Sequence, residues 1–244
     1  MVWERLVVER RQVELVRARK LSPDVRQLGL SCVDDRPFAF LAGQWVNLEV
    51  PVDGQTLTRA YSLCSAPDLE RPAQIEIAVT RVRGGPASCV LHELPLGKRL
   101  EIHGPHGFFT REPAPEGSAL FIGTGTGLAP LRAMLQQELA RDGVDDLALL
   151  FGCRSEQDVL WENQLRQWAE KHSRFCYEVT LSQAGSNWKG RAGYVQHHLA
   201  DVLAPLGRPH VYVCGLSRMV TEVRRILKNQ LGYERRWIHT ERYD

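Results

Sequence analysis

The chain has 244 residues, of which 43% are hydrophobic and 25% are charged, enough for a packed core in one large domain or two smaller ones. Its formal net charge of +2 argues against a nucleic-acid-binding protein. The first residues lack the apolar core of a signal peptide, and no segment reaches the roughly 18 apolar residues of a membrane span. We therefore expect a soluble, cytoplasmic, monomeric protein that binds neither nucleic acid nor a membrane.

Basic side chains are concentrated in the first twenty residues. They are Arg5, Arg10, Arg11, Arg17, Arg19 and Lys20, and three glutamates accompany them. Two interpretations stay open for this segment: an ordinary solvated face, or a docking patch for an acidic partner protein. If the segment is a docking patch, we expect Arg5, Arg10 and Arg11 to steer the partner.

The cysteines are scattered along the chain. They are Cys32, Cys64, Cys89, Cys153, Cys176 and Cys214. No two of them form a C-x-x-C pair or another clustered metal-ligand spacing. We therefore expect reduced thiols and no bound metal, neither an iron–sulfur cluster nor a structural zinc.

The first half of the chain is predicted to form strands. Apolar and polar residues alternate in W-V-N-L-E-V at residues 45–50 and in I-E-I-A-V-T at residues 75–80, and R-L-E-I at residues 99–102 is similar. Turn signals with glycine or proline separate these segments. Several short strands joined by turns indicate a small antiparallel barrel or sandwich.

A proline-rich segment, R-E-P-A-P-E-G, follows at residues 111–117. Its prolines, glycine and charges are typical of a linker between domains, and a surface loop within one domain is the alternative. As a linker it divides the chain into a domain of residues 1–112 and a domain of residues 117–244.

The second half alternates strands with helices. Apolar runs at residues 119–122, 147–151, 175–180 and 211–214 are predicted strands. The intervening segments carry apolar residues at helical spacing, among them Leu128, Leu131, Leu135 and Leu139, then Trp161, Leu165 and Trp168, and finally Met219, Val223, Ile226 and Leu227. S-E-Q-D at residues 155–158 has the spacing of a capping box. This rhythm predicts a parallel sheet with helices on both faces.

A glycine loop, G-T-G-T-G-L-A-P, joins the first strand of this half to its helix at residues 123–130. Glycines allow close approach to a ligand, and the amino terminus of a helix attracts anions. The spacing differs from G-x-G-x-x-G, because Leu128 stands where the third glycine would be. The loop predicts a nucleotide phosphate site, with an ordinary turn as the alternative.

The ribose end of that nucleotide is predicted from the residues after the next strands. The acidic residue that would bind a ribose hydroxyl is missing after the second strand, where Arg154 and Ser155 stand instead. Arg191 supplies another cation after the third strand. Two arginines at the carboxyl ends of neighbouring predicted strands favour a phosphorylated ribose, and hence NADP over NAD.

Five motifs carry a family resemblance. They are R-A-Y-S (59–62), G-G-P-A-S (84–88), G-P-H-G-F-F (104–109), the glycine loop (123–130) and V-C-G-L-S-R-M (213–219). In this order they resemble the ferredoxin–NADP reductase superfamily, most closely the bacterial ferredoxin (flavodoxin)–NADP reductases. The resemblance covers nearly the whole chain. It implies a flavin-binding antiparallel barrel followed by an α/β nucleotide-binding domain.

The resemblance assigns R-A-Y-S to a non-covalently bound FAD. Arg59 would pair with the flavin phosphates, Tyr61 would pack against the isoalloxazine, and Ser62 would hydrogen-bond near N5, the atom that accepts hydride. Because adjacent residues of a regular strand point to opposite faces, this arrangement predicts a bulge or a strand end at Tyr61 and Ser62. The other residues expected near FAD are Ala60, Val79, Thr80, Gly85, Ala87, Ser88, Thr126 and Tyr243.

The resemblance also assigns a nucleotide site and three catalytic residues. The residues expected to bind NADP(H), with NAD(H) as another possible substrate, are Gly125, Thr126, Gly127, Arg154, Ser155, Arg191, Cys214, Gly215 and Met219. Ser62, Cys214 and Glu241 are the expected catalytic residues, with Cys214 beside the nicotinamide and Glu241 as a proton relay. Asp244 stands where some relatives end in an aromatic residue, and a frayed tail is the alternative for this segment.

The implied activity is hydride transfer from NADPH to FAD and release of single electrons to an acidic ferredoxin or flavodoxin, in either direction. Three alternatives stay open. In these alternatives the chain would be the reductase component of an oxygenase, a free-flavin reductase, or an electron-transfer subunit without turnover of its own.

Overall fold

The computed structural model describes residues 7–111 and 115–243. Two compact units make up this part of the chain. The first contains the described residues up to Thr110 together with Arg132–Gln137, and the second contains the remainder. The division falls at the start of the proline-rich segment. Residues 112–114 of that segment lie outside the described residues, as do Arg5 and Asp244.

An antiparallel sheet forms the first unit. Its strands are β1 (Glu9–Ser22), β2 (Val25–Cys32), β3 (Trp45–Val52), β4 (Gln55–Ser62), β5 (Gln74–Thr80) and β6 (Arg99–His106). Their order is β4-β3-β6-β1-β2-β5. An antiparallel bridge between Leu63, just after β4, and Ile77 of β5 joins the two edges of the sheet. The sheet is therefore rolled into a half-barrel, in agreement with the predicted antiparallel β-domain.

Period-two alternation explains the core of this unit. In β3 the side chains of Val46, Leu48 and Val50 are fully buried, whereas Trp45 and Glu49 are partly exposed. Helix α1 (Pro86–Glu93), which the sequence did not predict, packs its apolar face on the same core. Strand β1 was not predicted either, because its many arginines obscure the alternation.

A parallel sheet forms the second unit. Its strands are β7 (Ala119–Thr124), β8 (Leu147–Cys153), β9 (Phe175–Leu181), β10 (Arg191–Ala192), β11 (His210–Leu216) and β12 (Ile238–Tyr243). Their order is β10-β9-β8-β7-β11-β12. The helices are α2 (Leu128–Leu139), α3 (Glu162–Lys171), α4 (Leu199–Leu203) and α5 (Ser217–Asn229). The predicted α/β fold of this half is confirmed.

One expectation for this sheet needs correction, and one alternative is excluded. Strand β9 is not covered on both faces, since Cys176 is exposed and Glu178 is partly exposed next to the two-residue edge strand β10. The last residues up to Tyr243 are not a frayed tail, because β12 pairs in parallel with β11 along its whole length. Among the described residues, no helix is both long and apolar enough to cross a membrane.

The topology collects the predicted nucleotide residues at one edge. All strands of this sheet run parallel, so their carboxyl ends meet where ligands bind in open α/β folds. The glycine loop follows β7, Arg154 follows β8, and Cys214 lies two residues before the end of β11. This edge positions the second half of the candidate site.

Candidate functional site

The R-A-Y-S motif occupies the end of strand β4. Arg59 pairs with Leu48 and Ser62 pairs with Trp45 in an unbroken register. Tyr61 is half-buried against the barrel core, and this burial raises the pKa of its hydroxyl to about 12. The strand ends at Ser62, which is buried. The motif thus has the strand end that was expected at Tyr61 and Ser62, and no bulge.

Arg59 is an exposed cation on strand β4. Its guanidinium Nη1 donates to the carbonyl of Thr58 at 2.8 Å. The part of the chain that the structure describes gives it no carboxylate partner. Ala60, next to it, is also exposed. A phosphate can therefore bind the guanidinium without displacing a protein anion.

The G-G-P-A-S motif forms the turn into helix α1. Gly84 has a φ of +71°, which favours glycine. The N–H of Gly85 donates to the Val82 carbonyl at 2.9 Å, and the Ser88 hydroxyl donates to the Gly85 carbonyl at 2.8 Å. These two hydrogen bonds hold the turn together. The backbone N–H groups of Ala87 and Ser88, in the first helical turn, are the donors suited to an anion.

Val79 and Thr80 end strand β5, with Thr80 exposed. The carbonyl of Val79 accepts a hydrogen bond from His92 Nε2 at 2.9 Å, a contact that the sequence did not indicate. The exposed guanidinium of Arg59 and the amino-terminal amides of α1 are each donors that suit a phosphate of FAD. The residues present in this unit therefore fit the cofactor that the motifs imply.

The glycine loop in the second unit packs directly on the Cys-Gly motif. A Cβ added at Gly127 would overlap the Cys214 carbonyl and would lie 2.7 Å from Gly215 Cα. Gly215 has a φ of +145°, and its added Cβ would collide with Thr124 Oγ1. Met219 packs on Gly215 from helix α5. Both glycines are needed for this close approach.

The outer part of the loop is open. Gly125 has a φ of +54°, and nothing lies within 4 Å of where its Cβ would be. Thr126 is half-buried in the same 3₁₀ turn. The turn leads into the twelve-residue helix α2, whose amino-terminal amides favour an anion. This geometry suits a nucleotide pyrophosphate.

Thr124 was not among the predicted residues. Its Oγ1 is buried and has no hydrogen-bond partner in the described part of the chain. An unpaired buried hydroxyl costs about 1–3 kcal/mol. The only sequence signal for Thr124 was its position between two glycines of the loop.

Strand β12 brings two of the expected catalytic residues together. Cys214 on β11 pairs in register with Glu241 on β12. Desolvation raises the pKa of the fully buried Cys214 thiol well above its usual value; the charge of Glu241 adds to this rise, and a hydrogen bond with Tyr243 opposes it. The thiol is therefore protonated at neutral pH and acts as a small, neutral group.

The three residues predicted to bind the ribose and its phosphate differ in how open they are to a ligand. Arg154 is exposed and has no carboxylate partner among the residues that the structure describes. Ser155 instead forms the predicted capping box, in which the Asp158 carboxylate accepts from the Ser155 backbone N–H at 3.1 Å, and the Ser155 hydroxyl also donates to that carboxylate at 2.7 Å. Arg191 is bound by Glu178 and Asp201. Of these three residues, Arg154 is the one most open to a 2′-phosphate.

The amino-terminal docking interpretation is wrong for Arg11. Its side chain is only 4% exposed and pairs with Asp34 at 2.5 Å and Glu9 at 2.9 Å. Arg10 is exposed but lies 2.6 Å from Glu101 and 3.4 Å from Glu49. The carboxylates around both arginines offset their positive charge.

Two family models match the chain, one to each unit. A model described as "Oxidoreductase FAD-binding domain" matches residues 12–110, and one described as "Oxidoreductase NAD-binding domain" matches residues 121–225. The FAD match includes the R-A-Y-S and G-G-P-A-S motifs. The NAD match includes most of the glycine loop and the Cys-Gly motif.

Relatives extend this similarity over the whole chain. Ferredoxin–NADP reductase B of Sorangium cellulosum is 44% identical over 96% of this chain and 97% of its own length. The glycine betaine monooxygenase reductase subunit of Pseudomonas aeruginosa is 29% identical over 94% of this chain and 64% of its own length.

Solved structures agree on the fold. The ferredoxin NADP+ reductase from Neisseria gonorrhoeae, with bound FAD and NADP, superimposes with a TM-score of 0.80 at 20% identity, covering 96% of this chain and 98% of that protein. At this identity the likeness shows the fold alone. Together with the family matches and the 44% identity to the Sorangium protein, these findings establish what the chain is. The chain belongs to the ferredoxin–NADP reductase family of FAD-dependent oxidoreductases, and its activity is FAD-dependent electron transfer from NAD(P)H.

Proposed function

We propose that the chain exchanges electrons between NADP(H) and a ferredoxin or flavodoxin, through non-covalently bound FAD. The observation that carries this proposal is the full-length similarity to a ferredoxin–NADP reductase, at 44% identity over 96% of this chain and 97% of that protein. FAD, when bound, accepts hydride from a nicotinamide and releases electrons one at a time. Such a protein joins a two-electron donor to a one-electron acceptor.

In the first unit we assign the flavin phosphates to Arg59 and to the Ala87 and Ser88 amides. The exposed guanidinium and the first turn of α1 support this assignment. Ser62, at the end of β4, hydrogen-bonds near the hydride-accepting atom, and Tyr61 packs against the ring system. Ala60, Val79, Thr80 and Gly85 surround the cofactor through their backbones.

In the second unit we assign the pyrophosphate to the loop of Gly125, Thr126 and Gly127. We assign Cys214 as a positioning residue for the nicotinamide, and its buried, protonated thiol is small and adds no charge there. Glu241 stands beside it in register and exchanges protons with solvent. These roles, and the contacts of Thr126 and Tyr243 with FAD, rest on the family resemblance.

The acceptor requires a separate experiment. The protein is purified with its flavin, its absorption spectrum is recorded, and it is titrated anaerobically with NADPH and with NADH. Ferredoxin or flavodoxin is then added, and the reduction of cytochrome c is followed. We expect flavin bleaching by NADPH and a rate that rises with ferredoxin concentration. A flavin-loaded protein that NADPH reduces, but whose cytochrome c rate is independent of both carriers, would contradict the proposal.

A second candidate is the reductase of an oxygenase. The reductase component of a Pseudomonas phenol 2-monooxygenase is 33% identical over 82% of this chain, but the match spans 56% of that protein. Direct electron delivery to a hydroxylase without an added carrier would favour this candidate. A free-flavin reductase would instead lose its flavin during purification and reduce added flavin catalytically.

A further inference from the structure

The guanidinium of Arg191 is held between two carboxylates in the second unit. Glu178 binds it at two nitrogens, Nε and Nη2, the latter at 3.3 Å. Asp201 binds the remaining nitrogen, Nη1, at 3.0 Å, and His198 Nδ1 lies 3.4 Å from the same atom. The side chain of Arg191 is 25% exposed. All three nitrogens of this guanidinium already have partners.

Strand register creates this arrangement. Arg191 pairs with Thr180 of the neighbouring strand β9, and Glu178 lies two residues earlier on the same face of that strand. The arginine and the glutamate are therefore diagonal neighbours on one face, within reach of each other through their long side chains. Thirteen residues separate them in sequence, so the sequence did not reveal the pair.

The pair borders a cavity of about 610 Å³. Glu178, Arg191, Trp188 and Lys189 are among its lining residues. Asp201 is not, and its side chain is 67% exposed, against 41% for Glu178. A ligand in this cavity therefore meets the carboxylate of Glu178 together with the guanidinium.

A phosphate monoester carries a charge of about −1.5 to −2 at neutral pH. To bind Arg191 it must either displace the two-point contact of Glu178 or lie beside that carboxylate. Displacement loses a charge-assisted pair, and coexistence places like charges together. Both routes reduce the free energy that Arg191 contributes to the binding of a 2′-phosphate. The binding of a nucleotide without this phosphate is weakened much less.

We propose that Glu178 is a specificity-determining residue that masks Arg191 from a 2′-phosphate, so that the chain discriminates only weakly between NADPH and NADH. This inference rests on the proposed function, because it concerns the nucleotide that the same site accepts. Arg154, which has no carboxylate partner in the described residues, provides the remaining preference for the phosphorylated ribose.

Four variants test whether Glu178 masks Arg191: Glu178→Gln, Asp201→Asn, Arg191→Ala and the double variant Glu178→Gln/Arg191→Ala. The amide of Glu178→Gln keeps the size of the side chain and removes its charge. Asp201→Asn is the matched control, since it also removes a carboxylate from Arg191 but lies outside the cavity lining. Flavin absorbance and thermal unfolding verify that each variant is folded.

Two measurements are made on the flavin-loaded protein. The first is kcat/KM for NADPH and for NADH. The second is the dissociation constant of 2′-AMP and of 5′-AMP by calorimetry, which does not depend on turnover. We expect Glu178→Gln to raise the NADPH-to-NADH ratio about tenfold and to tighten 2′-AMP by a similar factor, whereas Asp201→Asn changes both less than about threefold.

The Arg191 variants give the sharper comparison. We expect Arg191→Ala alone to change the nucleotide ratio by less than about threefold, and to abolish most of the gain in the Glu178→Gln background. A ratio unchanged by Glu178→Gln, or a large loss of NADPH activity in Arg191→Ala alone, would overturn the inference. If neither nucleotide reduced the flavin of the unaltered protein, the proposed function would fail. The 2′-AMP comparison would still decide whether Glu178 masks Arg191.

Discussion

Replacing Gly127 with alanine tests the close contact between the glycine loop and the Cys-Gly motif. The new Cβ would overlap the Cys214 carbonyl oxygen and lie 2.7 Å from the Cys214 carbonyl carbon and from Gly215 Cα. Ordinary contacts of a Cβ begin at 3.4 Å and the Cys214 carbonyl oxygen is the nearest atom, so the two backbone segments must separate by about 1 Å. Neither segment can simply rotate away, because Gly127 follows β7 and Cys214 lies within β11, and these two strands are paired in the same sheet.

The size of the effect follows from this displacement. Overpacking of a well-packed interior typically costs about 1–3 kcal/mol in the free energy of unfolding. Misplacement of a binding group by close to 1 Å can lower the rate about a hundredfold. For a shift of about 1 Å we expect kcat/KM for NADPH to fall roughly 10- to 100-fold. FAD retention should change little, because the predicted flavin phosphate ligands lie in the first unit.

The assay is steady-state reduction of ferricyanide by NADPH, with thermal unfolding and flavin absorbance measured on the same samples. Gly185→Ala is the matched control, since nothing lies within 4 Å of its added Cβ and its backbone is not in the left-handed region. We expect that control to behave like the unaltered protein. A Gly127→Ala variant indistinguishable from it in both kcat/KM and unfolding temperature would refute the contact as described.

Three more predictions follow from the described contacts. Thr124→Val should raise the free energy of unfolding by about 1 kcal/mol, because it removes a buried unpaired hydroxyl; a lower unfolding temperature would contradict this. Burial, with the nearby charges of His210 and Arg111, lowers the pKa of His239 to about 4, so the folded state favours neutral imidazole. The contribution of His239 to the free energy of unfolding should therefore be complete above pH 6.5. After allowance for solvent screening, the free energy of unfolding should fall by about 1 kcal/mol as the pH drops towards 4. In urea titrations, an equally steep pH dependence in His239→Phe would exclude this histidine as the cause. Arg59→Ala should weaken FAD binding about 10- to 100-fold, and full flavin occupancy after dialysis would exclude the phosphate contact.

Much of the fold could be predicted from hydrophobic periodicity. The strands around Val46 and Ile122 and the helix around Leu131 follow directly from alternation or helical spacing. Strands β1 and β12 could not be found this way, because both are rich in polar residues and are recognisable as strands only through their neighbours in the sheet. Helix α1 was hidden because its first residues coincide with a motif that was interpreted as a turn.

The residues of the candidate site were likewise only partly predictable from the sequence. Motif residues such as Arg59 and Gly127 could be named from sequence, because their chemistry is local. The partners of Arg191 and the unpaired hydroxyl of Thr124 could not be predicted from sequence, since both depend on which strands lie side by side. Arg11 shows the same limit from the other direction, because a basic segment gives no indication of which arginine points into the protein.

The burial of Cys214 has a practical consequence for experiments on this protein. Alkylating reagents attack thiolates that they can reach, and this thiol is both inaccessible and protonated. Cys176, on the exposed face of β9, is open to solvent. Burial and the charges of Glu178 and Asp146 raise the pKa of the Cys176 thiol as well, so exposure is what distinguishes the two thiols, and a maleimide dye should label Cys176 in preference to the thiol next to Glu241.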